Sequence, residues 1–89
     1  MLRNKSIAKE ILEIVAVEDG GGGGLYREEI HAVYAERYPN HEPGRVDALD
    51  YHLHLLETAG FVKLEKNDQG REHDNFEMTW DGHDFIEAN

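Results

Sequence analysis

An α+β fold is predicted for this 89-residue sequence, and three patterns predict it. Apolar residues recur at helical spacing from Ile7 to Leu56. After Gly60 the period drops to two, with Val62 and Leu64 alternating against Lys63 and Glu65. A second alternating run, Phe76, Met78 and Trp80 against Glu77 and Thr79, follows a polar stretch. A chain of this length is expected to form one domain, 1–89, with a compact core. It can bury only about 60–65% of the surface its unfolded form exposes.

The first helix is expected over about Lys5–Val17. Ile7, Ile11 and Ile14 give its apolar stripe, Leu12 and Val15 widen it, and Asn4 is positioned as N-cap. Gly20 to Gly24 follow. They lack the Gly-Lys-Ser/Thr ending and the preceding strand that a phosphate-binding loop requires, so they read as a flexible connection. Leu25-Tyr26 is expected as a very short strand. The second helix, about Arg27–Arg37, buries Ile30, Val33 and Tyr34 and starts with Glu28 and Glu29, which suit the positive end of the helix dipole. Tyr38-Pro39 stops it, and residues 39–44 form a turn.

The third helix starts near Pro43 to Val46. Val46, Leu49, Leu53 and Leu56 define its buried stripe, while Asp47, Asp50, Tyr51, His54, Glu57 and Thr58 are expected to face outward. Gly60 is expected as the left-handed residue that ends it, with Phe61 folding back on Leu56. Two hairpin strands follow, joined by the polar stretch 66–75, which is long enough to project. In the final segment Asp81 is read as an N-cap, with Asp84 completing a capping box. Trp80 and Phe85 are read as a hydrophobic staple, and a helix over 82–88 packs Phe85 and Ile86 on the core. Helices 2 and 3 then form a helix-turn-helix and the hairpin its wing. The predicted architecture is a winged helix-turn-helix with three helices, a two- to three-stranded antiparallel wing sheet and a short C-terminal helix.

Two stretches carry a family resemblance. "YHLHLLETAGFV" and "MTWDGHDFIEA" resemble an uncharacterised winged-helix family of small bacterial and prophage proteins, a domain of unknown function. Tyr51, His52, Leu55, Leu56, Ala59 and Gly60 match its helix-to-strand corner. Thr79, Trp80, Gly82, His83, Asp84 and Phe85 match its Leu-Thr-Trp-x-Gly-His-x-Phe-Leu segment. The resemblance implies a winged helix of phage or mobile-element type and no known activity. It is carried by the chain from Tyr51 onward; the glycine run and the acidity depart from the pattern.

The net charge is −10. Ordinary DNA binding rests on Lys and Arg displacing counterions, and no segment here forms a basic stripe. The stretch 46–58 holds Asp47, Asp50 and Glu57 with no Lys or Arg, and the stretch 75–89 has four acids and no Lys or Arg. The sequence has no cysteine, which excludes disulfides and thiolate metal sites. No long apolar run marks a leader or membrane span, and a cytoplasmic location is expected.

The chain has six histidines. His52 and His54 lie about 200° apart on a helix and cannot share a metal. His52 is expected to be packed and hydrogen-bonded, and His54 to stand one turn from Asp50. His31, His41 and His73 have no evident partner, and the cap and staple account for Gly82-His83-Asp84. Ser6 is the only serine, and neither Thr58 nor Thr79 has a base nearby in sequence. No catalytic residue, metal or cofactor is expected.

The expected function is therefore non-catalytic interaction with a protein partner through Asp47, Asp50, Tyr51, His54 and Glu57, in its sharpest form as a DNA mimic that inhibits a host nucleic-acid-binding complex. The alternative is a DNA-binding regulator, acting as a homodimer, with the third helix in the major groove and Arg45, Lys63, Lys66 and Arg71 on phosphates. Arg27 and Arg37 would add to it if folding gathers them.

Overall fold

A computed structural model describes residues 1–40 and 42–89; the expectation for His41 lies outside the described residues. The order is α1 (Lys5–Glu18), β1 (Leu25–Tyr26), α2 (Arg27–Arg37), α3 (Arg45–Thr58), β2 (Val62–Glu65), a short 3₁₀ turn (Arg71–His73), β3 (Asn75–Met78) and α4 (Trp80–Ala88). The fold is α+β, with four helices and a three-stranded antiparallel sheet in the order β1-β3-β2. That arrangement is compatible with the expected one, and β1 supplies the third strand by pairing Leu25 with Phe76.

α1 is the hub of the core because its apolar stripe is nearly continuous: Ile11, Leu12, Ile14 and Val15 are fully buried. Ile30 of α2, Leu49, Leu53 and Leu56 of α3, and Leu25, Val62 and Phe76 of the sheet close on it in one cluster. Burying each such side chain contributes about 1.5–3 kcal/mol. Asn4 caps α1, its Oδ1 accepting from the amides of Ser6 and Ile7 at 2.9 and 3.1 Å. His52 fixes α1 to α3, as expected for a packed histidine. The Asn4 amide donates to its Nε2 at 2.9 Å, while Nδ1–H donates to the Ala48 carbonyl at 2.7 Å.

α3 ends as its sequence predicts. Gly60 takes φ +81°, its amide donates to Glu57 O, and the Phe61 amide donates to Leu56 O at 2.9 Å. That pair of bonds satisfies carbonyls the last turn would otherwise leave open. Val46 departs from the expected stripe: it is 55% exposed. It lies in the first turn of α3, beside the polar edge formed by Glu28, His31 and Arg71 rather than the core.

The start of α4 also differs. Thr79, not Asp81, is the N-cap, its Oγ1 accepting from the Gly82 amide at 3.1 Å. α4 thus begins at Trp80, which is not a strand residue and is 83% exposed. The predicted capping box and the Trp80–Phe85 staple do not form. Phe85 packs on Phe61 instead, with ring centroids 4.9 Å apart. The physical reason is a lock between two corners. The Thr79 hydroxyl donates to Gly60 O at 2.6 Å and the Thr79 amide to Phe61 O at 3.3 Å. Gly82 lies so close to the Phe61 carbonyl that a Cβ would overlap it. The motif residues Thr79 and Gly82 are explained by this contact.

Candidate functional site

The outer side of α3 faces the β2–β3 hairpin across a cleft of about 450 Å³, lined by Asp50, His54 and Glu57 on one side and Lys66 and Arg71 on the other. Its floor is Arg27, the first residue of α2, placed there by the chain turning out of β1. The Arg27 side chain is 12% exposed and each of its three nitrogens donates a hydrogen bond. Nη1 donates to Asp50 Oδ1 at 2.9 Å, Nη2 to Asp74 Oδ2 at 3.2 Å and Nε to Arg71 O at 3.1 Å, and the group lies 4.9 Å from the centre of the Phe76 ring. A planar fork suits this use, since one cation joins two carboxylates and a carbonyl through three of its five N–H donors.

The carboxylates are completed by other donors. His31 Nε2 donates to Asp50 Oδ1 at 2.8 Å, and Arg71 Nη2 lies 3.9 Å from Asp50 Oδ2. The Asn67 amide donates to Asp74 Oδ1 at 3.0 Å. Burial alone would raise the Asp50 carboxyl, but the bonds and charges of His31 and Arg27 outweigh it and hold it below the ordinary aspartate value. Burial acts on Asp74 in the same way and is outweighed by the Asn67 amide and by Arg27. Residues 66–74, expected to project, are folded back onto α2 and α3 by these contacts.

The sequence-predicted acids therefore divide. Asp47 and His54 are exposed and Glu57 is partly so. The Asp50 side chain, expected among the outward groups, is 19% exposed and held by Arg27 and His31. Tyr51 is half-buried, the edge of its ring set against His52 at a centroid distance of 5.6 Å. The basic residues divide too. Lys66 and Arg71 meet at the cleft, while Lys63, exposed on β2, stands opposite Glu77 in the sheet. Arg45 lies at another hollow. Its Nη1 donates to Tyr38 O at 2.7 Å, its Nη2 to Asn40 O, and its guanidinium sits 5.7 Å from the Tyr34 ring centre. Arg37 pairs with Glu10 at 3.2 Å. The arginines of α2 and α3 are thus not gathered into one surface.

Sequence reasoning missed Asp74 and the partnership of His31, and it read Arg27 only as a surface cation. Arg27 is separated from Asp50 by 23 positions and from Asp74 by 47, so no local spacing marks the network. Among the described residues no group of three His, Asp or Glu side chains is placed to hold a metal. No described helix is long and apolar enough to cross a membrane.

A family model described as "Hypothetical protein (DUF2513)" matches residues 3–89. The chain belongs to this family. Membership extends well beyond the Tyr51-onward stretches that carry the resemblance, taking in α1, the glycine run and α2. DUF2513 is described without an activity, so its description leaves the role of the cleft open to physical argument. No curated protein and no solved structure matches the chain.

Proposed function

We propose that this chain is a non-catalytic, acidic winged-helix interaction module, of the type carried by phages and mobile elements, which binds a basic protein surface through α3 and the hairpin. The supporting observation is the distribution of charge around α3. Its outward side offers Asp47, His54 and Glu57, while Arg27 is held by Asp50 and Asp74 and Arg45 by backbone carbonyls. A surface of this sign speeds encounter with a cationic partner and repels a phosphate backbone. Occupation of a host regulator's nucleic-acid groove, as a DNA mimic, is the strongest form of this reading.

One observation favours a second reading, a homodimeric DNA-binding regulator: Lys66 and Arg71 stand together at the cleft beside α3. The same experiment separates the two. Titration against random duplex DNA between low and physiological salt is expected to show no appreciable binding; affinity falling steeply with salt would establish the regulator instead. Immobilised protein is expected to retain basic, nucleic-acid-binding proteins from a host lysate and to lose them on Asp47→Lys/Glu57→Lys substitution. Retention unchanged by that double substitution would overturn the assignment of α3.

A further inference from the structure

The face of α4 turned away from the core carries groups that the fold does not use. Within the Thr79–Phe85 motif, Thr79 caps the helix, Gly82 permits the approach to Phe61, and Phe85 packs on that ring. Trp80 has no such part: it is the only tryptophan in the chain and is 83% exposed. His83, Asp84 and Glu87 are exposed as well, and they fall three, four and seven positions after it, along one side of the helix. α4 contains no Lys or Arg. A solvent-facing indole with carboxylates one and two turns further on is a composition that matches a cation with a flat, apolar face.

We propose that this face is a second docking surface, separate from α3, for an arginine-rich segment of another protein. A guanidinium stacks on the Trp80 indole and its N–H groups donate to Asp84 and Glu87. Arginine fits better than lysine because its plane stacks while its edge hydrogen-bonds. Tryptophan is also the residue type most often found dominating interface energetics. A second copy of this chain is a poor occupant, since it would set Asp84 and Glu87 against their equivalents in molecules of net charge −10. The proposal needs only α4, so its failure leaves the α3 reading standing, and the reverse also holds.

The single indole makes the test specific. The full chain is titrated at physiological salt with a short oligo-arginine peptide and, in parallel, with oligo-lysine of equal length. A saturable change in tryptophan emission is expected, with arginine the tighter ligand. By calorimetry, Trp80→Ala is expected to weaken oligo-arginine binding about two- to fivefold, the range an exposed cation–π contact supports. Asp84→Asn/Glu87→Gln should weaken it as well, and Asp47→Asn/Glu57→Gln should leave it unchanged. Because Trp80 is exposed, the Trp80→Ala protein should melt with its parent. Emission that does not respond at saturating peptide overturns the proposal, as does affinity untouched by Trp80→Ala. A dimer of the parent protein that Trp80→Ala dissolves also overturns it, by giving the indole to a second copy.

Discussion

Arg27 reaches Asp50 through one terminal nitrogen, Asp74 through the other and the Arg71 carbonyl through Nε, all within 3.2 Å. Replacing it with methionine keeps an unbranched apolar stem but leaves two poorly solvated carboxylates without their common cation. Arg27→Met is expected to lose about 3–5 kcal/mol of stability in urea denaturation, the usual result of removing one partner from a buried ionic network. A loss under about 1 kcal/mol would mean that water reaches the network freely. Asp74 makes a pH-dependent prediction. Its folded-state pKa lies below the ordinary 3.8, so its ionised form stabilises the fold above that value. That contribution fades as the pH falls from there through the depressed value. Asp74→Asn should therefore be less stable than the parent by about 1–3 kcal/mol at neutral pH, and the gap should narrow on acidification below about pH 4. A gap that stays constant with pH would detach Asp74 from Arg27.

The glycine run divides physically at the level of elements. A Cβ at Gly24 (φ +93°) would come within 2.6 Å of Phe76 O and Asn75 Nδ2, because this glycine brings the chain into β1 against β3. Gly21 has open space around it and no positive φ. Gly21→Ala is therefore expected to raise stability by about 0.4–1 kcal/mol by restricting the unfolded chain, and Gly24→Ala to lower it by more than that; thermal melts of the two variants check the contrast. The same division explains what could be read from sequence. α1, α2 and the C-terminal end of α3 were legible because Ile11, Ile14, Ile30, Leu53 and Gly60 act through spacing within one element. The helix over 82–88 was legible too, but its start was misplaced because Trp80 continues the alternation of Phe76 and Met78. The decision lies with Thr79, whose bonds to Gly60 and Phe61 form only once the sheet is assembled. Val46 keeps the helical period of its neighbours but packs beside α2's polar edge, which no periodicity reveals. In the candidate site, the acidity of α3 could be read directly, whereas the inward turn of Asp50 depended on Arg27 and His31 arriving from another helix.

Across the whole molecule the net charge is −10 with every Lys and Arg already counted, so the inward ion pairs leave it unchanged. Self-repulsion on that scale opposes compaction and is screened by salt, with a Debye length near 10 Å at 0.1 M falling to about 3 Å at 1 M. The melting temperature is expected to rise between low and high sodium chloride; a flat or falling curve would mean that the internal ion pairs, weakened by the same screening, outweigh surface repulsion. The sheet adds a consequence for the way these molecules coexist in solution. β3 lies in the middle and β2 at one border, so the backbone of Val62–Glu65 has a side not bonded to β3. Such a border is an invitation to polymerise strand upon strand. Here it is four residues long, and Lys63 and Glu65 stand on it as gatekeepers. An incoming identical strand would find little length to grip and a strongly anionic body behind it, so concentrated solutions should remain free of fibrils.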